Sequence, residues 1–276
     1  MFQEAIIPLD AWVSAFIDWL VNNHRDFFQL LKWPIEQLLN GFESALTWLH
    51  PLVVIAVVTF AAWRYSGKRM AAFSLASLFF VGFLGLWEDT MITLAMVLSS
   101  VVVCTLLGVP LGIMAGRSDR FEMGLRPVLD AMQTTPAFVY LVPIVMLFSV
   151  GNVAGVLATI IFALPPIIRL TSLGIRGVHP ELVEAALAFG ATRKQVLLKV
   201  QIPLALPTIL AGLNQTIMMA LSMVVIAALI GAGGLGSPVI LGLNTLDIGR
   251  AVVGGLGIVL MAIVLDRITQ SMAQRK

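Results

Sequence analysis

Seven long apolar segments constrain what this chain can fold into. They occupy approximately residues 47–64, 70–87, 90–115, 136–150, 153–173, 207–230 and 251–268. A membrane-spanning helix needs about 20 mostly apolar residues, and the segments approach that length. Charged residues make up only 12% of the chain, whereas a soluble domain has about 25%. The sequence therefore predicts an all-α polytopic membrane protein with about seven transmembrane helices.

Basic residues in the short connections indicate the orientation. If the charged segment 180–203 is cytoplasmic, the same side receives most of the lysines and arginines that flank the apolar segments: Arg64, Lys68, Arg69, Arg117, Arg120, Arg126, Arg193, Lys194, Lys199, Arg267, Arg275 and Lys276. The other side receives little beyond Arg250. Positively charged loops stay in the cytoplasm. We therefore predict an external N-terminus, an internal C-terminus and a cytoplasmic tail at residues 271–276.

The N-terminal region differs from the rest of the chain. Residues 1–46 contain no apolar run long enough to span a membrane and lack the residue order of a cleaved leader. Aromatic and leucine side chains recur there at helical spacing between acidic ones, beginning with Trp12, Phe16 and Trp19. We predict an extracytoplasmic amphipathic interfacial arm, which either anchors the chain in the bilayer surface or meets a partner. Residues 47–87 would then form two accessory transmembrane helices before a core at 88–270.

The sequence lacks the residues that several kinds of chemistry require. Cys104 is the only cysteine, which excludes an intrachain disulfide. The segment 231–236 fits a dinucleotide-binding glycine pattern but follows a membrane helix instead of a strand. No Walker A sequence, metal-binding cluster or catalytic motif is present. We therefore expect no catalytic residue, no metal site and no cofactor bound by this chain.

Ion-driven transport is disfavoured by the placement of charge. Ionisable side chains at mid-membrane depth are costly and usually functional. The charged residues of the apolar segments lie near the segment ends: Glu88, Asp89, Arg169 and Asp266.

Small residues recur in the third apolar segment. Gly108, Gly112 and Gly116 are spaced by four and share one helical face, which allows a neighbouring backbone to approach closely. This face either lines a transport pathway or serves ordinary helix packing.

The charged segment 180–203 has readable helix signals. Pro180 suits a first helical position, and Gly190 suits a left-handed stop. Thr192 and Gln195 have capping-box spacing, which predicts a second helix from Arg193 that ends at Pro203.

The same segment resembles a known loop. Glu184, Ala185 and Ala186, then Gly190, then Val200-Gln201-Ile202-Pro203, resemble the cytoplasmic EAA loop of ABC importer permeases, with two conservative departures at its end. The resemblance implies that Glu184, Ala185, Ala186, Gly190 and Pro203 couple the chain to a separate ATPase subunit. The alternative is an ordinary amphipathic cytoplasmic loop.

Four further sequence segments narrow the resemblance to one group of these permeases. Segments 130–143, 163–169, 220–227 and 265–270 resemble the permeases of glycine betaine/proline betaine importers. This implies the transmembrane domain of a type I ABC importer in a bacterial inner membrane. It also implies a second permease copy, an ATPase dimer that uses ATP, and an external binding protein delivering betaine, proline betaine, choline or carnitine. Nucleic acid is not an expected partner. The alternatives are an ABC permease for another small solute, such as an amino acid, and an ATP-independent osmotic channel.

A low-affinity path for the solute is predicted from polar, soft and aromatic side chains in the core. Each of these residues is also explained by packing alone: Phe138, Tyr140, Asn214, Met218, Met219 and Ser222.

Overall fold

The computed structural model describes residues 8–274, which are almost entirely helical and contain no β-strand. Four helices precede the core: α1 (Leu9–Asn23), α2 (Arg25–Trp48), α3 (Pro51–Ser66) and α4 (Lys68–Phe83). The core follows with α5 (Trp87–Arg117), α6 (Asp119–Thr134), α7 (Ala137–Phe148), α8 (Asn152–Arg176), α9 (Pro180–Ala188), α10 (Arg193–Val196), a π-helical turn (Leu197–Gln201), α11 (Ile202–Ala228), α12 (Gly236–Thr245) and α13 (Ile248–Gln274). Glu4, Arg275 and Lys276 lie outside the described residues.

The structure contains four to six candidate spans, whereas the sequence predicted about seven. Within the described chain, four helical segments are long and apolar enough to cross a membrane: α5, α8, the stretch from α10 through α11, and α13. The total is six if each of two bent helix pairs forms one span: α2 with α3, bent by 105°, and α6 with α7, bent by 97°. The segments predicted at 47–64, 70–87 and 136–150 form helices of 16, 16 and 12 residues, fewer than the roughly 20 that a span needs.

Local backbone signals shorten these helices. Gly67 has a φ of +93° and separates α3 from α4. Thr135 is extended and precedes Pro136, as expected because proline disfavours helical backbone in the residue before it. The break at Thr135 therefore separates α6 from α7.

The core is organised around α8, which packs between α5 and α11. The glycine stripe of α5 faces α8. A Cβ atom on Gly108 would lie 2.4 Å from Cγ2 of Ile167, one on Gly112 would lie 2.5 Å from Cβ of Thr171, and one on Gly116 would lie 2.9 Å from Cβ of Ile175. The close approach predicted from the four-residue spacing is therefore confirmed.

Only part of the N-terminal region packs against the core. All of the α1 side chains are at least partly exposed, including Trp12 and Phe16. In contrast, α2 buries Ile35 and Leu39 against the core, and the Phe28 ring meets Phe148 of α7 edge-on at 5.6 Å between centroids. The second half of the predicted interfacial arm is thus packed against the helices that follow it.

Replacing Gly112 with alanine tests the α5–α8 contact. The new methyl group has no room beside Thr171 and the carbonyl oxygen of Ile168 at 2.7 Å, and overpacking of this kind costs about 1–3 kcal/mol. We expect Gly112→Ala to lower the midpoint of thermal unfolding of the detergent-solubilised chain. Gly255→Ala in α13 is the control, since nothing lies within 4 Å of its added Cβ. Equal midpoints for the two variants would contradict this packing.

Candidate functional site

The most exposed part of the core is α9, the helix between α8 and α10. None of its residues is buried. Leu182 and Leu187 are 46% and 44% exposed, although apolar side chains of this size usually find cover. Glu184 and Ala185 are exposed and Ala186 is half-buried. The helix therefore presents a mixed apolar and acidic surface while packing against α10 and the π-helical turn.

Gly190 closes α9 with a left-handed residue. Its φ is +81°, its N–H donates to the carbonyl oxygen of Leu187 at 2.9 Å, and the N–H of Ala191 donates to that of Ala186 at 3.0 Å. These two bonds make up a Schellman motif, in which glycine avoids the steric penalty of a Cβ. The predicted left-handed stop is confirmed, and nothing lies within 4 Å of an added Cβ.

The glycine corner displays an aromatic side chain that the motif pattern did not reveal. Phe189, the residue before Gly190, is 92% exposed. It borders a concave surface of about 360 Å³ that is lined also by Ala186, Gly190, Ala191, Gln195, Lys199 and Val200. The only sequence signal for Phe189 was its position beside a helix-stopping glycine.

The second helix of the segment begins as predicted. The Gln195 N–H donates to Oγ1 of Thr192 at 3.3 Å, and the Thr192 N–H donates to Oε1 of Gln195 at 2.7 Å. These reciprocal bonds form a capping box.

The predicted end of that helix at Pro203 is wrong. Helical structure is continuous from Arg193 to Ala228, a stretch of 36 residues. The turn before the proline is π-helical, with the N–H of Ile202 donating to the carbonyl oxygen of Leu197. A proline ring clashes with the carbonyl four residues earlier in an α-helix, and the wider turn relieves that clash at Lys199. Pro203 itself is exposed.

The structure places the four predicted pathway residues of α11 in three different environments. Met218 and Ser222, four residues apart, are exposed, and the Ser222 hydroxyl donates to the carbonyl oxygen of Met218 at 2.9 Å. Met219 packs against the central hydrophobic core. Asn214 faces α13, where its Nδ2 donates to Oδ1 of Asp266 at 2.9 Å and its Oδ1 accepts a hydrogen bond from Thr269.

The two aromatic pathway residues occupy the start of α7. Phe138 is 58% exposed. The Tyr140 hydroxyl donates to the carbonyl oxygen of Met132 and lies 3.1 Å from that of Thr135, at the end of α6. Tyr140 therefore fastens the bend between α6 and α7. Of the six predicted pathway residues, Phe138, Met218 and Ser222 are exposed.

The described chain contains no group of three or more histidine, cysteine, aspartate or glutamate side chains able to hold a metal ion.

Comparison with known proteins places this arrangement in a family. Residues 108–276 match the family model described as the binding-protein-dependent transport system inner membrane component. The chain is 54% identical over 273 residues to the glycine betaine/proline betaine transport system permease protein ProW of Escherichia coli, covering 99% of this chain and 77% of that one. It is 44% identical over 270 residues to the glycine betaine transport system permease protein OpuAB of Bacillus subtilis, covering 98% and 96%.

A solved structure shares the fold. The MetNI methionine ABC transporter in an inward-facing conformation matches with a TM-score of 0.62 at 21% identity, over 68% of this chain and 94% of that one. The exposed glycine-cornered segment, the helices around α8 and the family match agree with the fold class predicted from the sequence. The chain belongs to the binding-protein-dependent transport system inner membrane components and is an ABC importer permease of the type I fold.

Proposed function

We propose that the chain is the permease of an ATP-driven importer for quaternary ammonium compatible solutes, the group of glycine betaine, proline betaine, choline and carnitine. The observation that carries this proposal is the 54% identity, over 99% of the chain, to a permease named for glycine betaine and proline betaine. The relative from Bacillus subtilis is likewise named for glycine betaine.

We assign the energy source and the solute capture to other subunits. In this proposal the chain is non-catalytic and binds no cofactor, and ATP is used by a dimer of ABC ATPase subunits on the cytoplasmic side. An extracytoplasmic binding protein delivers the solute. The exposed apolar and acidic surface of α9, together with Phe189, supports an ATPase contact, because protein interfaces are enriched in such aromatic anchors.

A second copy of the chain completes the proposed transporter. The outer face of α11 exposes Gln215, Met218 and Ser222 at spacings of three and four residues. The amide of Gln215 would find no hydrogen-bonding partner among lipid tails, and polar groups in membrane helices usually face protein or a water-filled cavity. This stripe therefore supports a face that meets the second copy or lines the path between the two copies.

The continuity of α10 with α11 supports direct mechanical coupling between the proposed ATPase contact at α9 and the membrane core. A helix of 36 residues is about 54 Å long at 1.5 Å per residue. This length is enough to reach from the Gly190 corner across the bilayer. A displacement of α9 by the ATPase would pass through the Gly190 corner into this helix. Movement of α11 against its neighbours would then open the path alternately to the two sides.

Uptake by the reconstituted complex tests the function. Vesicles containing this chain, its ATPase and its binding protein should accumulate labelled glycine betaine only with internal ATP, and excess unlabelled glycine betaine should compete. ATP-dependent uptake of an amino acid but not of any quaternary ammonium solute would contradict the substrate group. Flux without ATP would contradict the importer.

Substitution at Gly190 tests the coupling corner. A left-handed backbone costs about 1–2 kcal/mol for a residue with a Cβ, and valine is particularly unsuited to it. We expect Gly190→Val to reduce ATP-driven uptake at least tenfold while leaving the amount of chain in the membrane unchanged. Gly124→Val on α6, which also adds a Cβ in open space, is the matched control. Normal uptake by the Gly190 variant would refute the role of the corner.

Truncation of Phe189 tests the ATPase contact separately. Central aromatic residues of interfaces often contribute about 2 kcal/mol or more to binding. We expect Phe189→Ala to weaken binding of the purified ATPase to the solubilised permease at least tenfold in a titration. Phe83→Ala at the end of α4 is the control, because Phe83 is also 85% exposed. Unchanged affinity for Phe189→Ala would place the contact elsewhere.

A further inference from the structure

Segment 265–270, one of those that resemble the betaine permeases, contains Asp266, the only carboxylate residue of α13. Its side chain is 24% exposed. Carboxylates within membrane helices are costly and usually have both a partner and a function. The partner is Asn214 of α11, whose Nδ2 donates to Oδ1 of Asp266 at 2.9 Å. Neither the proposed ATPase contact nor the exposed stripe of α11 accounts for this pair.

Further hydrogen bonds extend from this pair to a third helix. The Thr269 hydroxyl donates to Oδ1 of Asn214, so both ends of the Asn214 amide are bonded to α13. On the same part of α13, the carbonyl oxygen of Arg267 accepts from the Ser66 hydroxyl of α3 at 2.8 Å, and the hydroxyl oxygens of Ser66 and Ser271 lie 2.9 Å apart. This part of α13 is therefore bonded to both α3 and α11. We call these residues the polar junction: Ser66, Asn214, Asp266, Arg267, Thr269 and Ser271.

A second polar cluster joins a different group of helices. Arg169 and Arg176 of α8 form ion pairs with carboxylates of α6, and Arg176 donates to the carbonyl oxygen of Ala115 in α5 at 2.7 Å. This cluster shares no residue with the polar junction. On the predicted orientation both lie in the cytoplasmic half of the core. They define two groups of helices there, α3 with α11 and α13, and α5 with α6 and α8.

Hydrogen bonds also join the two groups at the middle and at the outer end of the core. The Thr216 hydroxyl of α11 donates to the carbonyl oxygen of Ala163 in α8 at 3.1 Å, and both residues lie near the middle of their helices. The N–H of Gly233, in the loop after α11, donates to Oδ1 of Asn152 at the outer start of α8 at 2.7 Å. These bonds hold the groups together away from the cytoplasmic side.

On the cytoplasmic side, small residues form the contact between the two groups. A Cβ atom on Gly174 of α8 would lie 3.1 Å from Cβ of Ala205 in α11. Packed helices can slide past each other by small amounts, whereas a polar side chain that leaves its partner inside a membrane loses a hydrogen bond that lipid cannot replace. Relative movement is therefore easier between the two groups than within either of them.

We propose that the polar junction makes α3, α11 and α13 one mechanical unit, which swings against α5, α6 and α8 at the cytoplasmic side during transport. Asp266 is a positioning residue of this unit, because its carboxylate holds the Asn214 amide of α11. The movement rests on the proposed function, in which the ATPase displaces α9 and the long helix α10–α11 follows. The accessory helix α3 then moves with α11 and is not a fixed anchor.

Paired cysteines test which helices stay together. Ser66→Cys with Ser271→Cys joins α3 to α13 where the hydroxyl oxygens lie 2.9 Å apart, and Gly174→Cys with Ala205→Cys joins α8 to α11. Native Cys104 is fully buried and takes no part. In vesicles with the ATPase, the binding protein and internal ATP, we expect oxidation of the first pair to leave glycine betaine uptake within twofold of the reduced form. Oxidation of the second pair should lower uptake at least tenfold, and a reductant should restore it.

Substitution of Asp266 tests its positioning role. We expect Asp266→Ala to lower the amount of solute imported per ATP hydrolysed at least fivefold, because the ATPase then moves α11 without carrying α13. Asp266→Asn keeps an oxygen that accepts from Asn214 and should stay within twofold of the wild type. Gln270→Ala is the matched control, since Gln270 is exposed and bonds to Arg267 of its own helix. A merely stabilising role would lower the amount of folded transporter without changing this ratio.

Each contrary outcome has a defined meaning. Failure of the serine-derived pair to form a disulfide contradicts the polar junction. Reversible loss of uptake on oxidation of that pair means that α3 and α13 part during transport, which overturns the unit. Unchanged uptake with the α8–α11 disulfide formed removes the swing. If the Gly174 variant does not assemble, the serine-derived pair and the Asp266 ratio decide. Absence of ATP-driven uptake by the wild type rejects the proposed function and the movement with it, whereas normal wild-type uptake with a contrary disulfide result rejects only the unit.

Discussion

The close packing of α8 between α5 and α11 is the contact on which the rest of the structure depends. In a bilayer, apolar side chains gain little by leaving lipid, so membrane helices associate through close contact between small residues. Glycines supply that contact on both sides of α8. A Cβ on Gly212 of α11 would lie 3.0 Å from Cβ of Leu170, and one on Gly174 of α8 would lie 3.1 Å from Cβ of Ala205. Together with the glycine stripe of α5, these contacts fix α8 at the centre.

This packing determines where the charged segment 180–203 projects. The segment leaves the C-terminal end of α8 and returns to the membrane through α10 and α11, the helix that packs most extensively on α8. Leu197, the first residue of the π-helical turn, and Ile202, the first residue of α11, pack against Ile175 of α8 and Ile209 of α11. The return helix is therefore held at its base, while α9 and Phe189 stay exposed. In the proposed mechanism, one glycine, Gly190, joins the exposed helix α9 to the long helix that returns to the core.

The same packing brings charge into the cytoplasmic half of the core. Arg169 and Arg176 of α8 each pair with carboxylates of α6, which offsets the cost of placing charge between membrane helices. A cavity lies between α6 and its neighbours α5 and α8.

The sequence by itself determined the features that depend on a few neighbouring residues. The left-handed turn at Gly190, the Thr192–Gln195 capping box and the glycine face of α5 follow from local backbone preference or helical spacing, and the long apolar segments determined the class of protein.

Tertiary structure decided the rest. The helix continues through Pro203 because packing of Leu197 and Ile202 favours a wider turn over a break. Asn214 is engaged by Asp266 of α13, 52 residues away in sequence, and Arg169 of α8 pairs with Asp130 only because α6 folds back along α8. Spacing along one helix cannot show which side chains of another helix will face it.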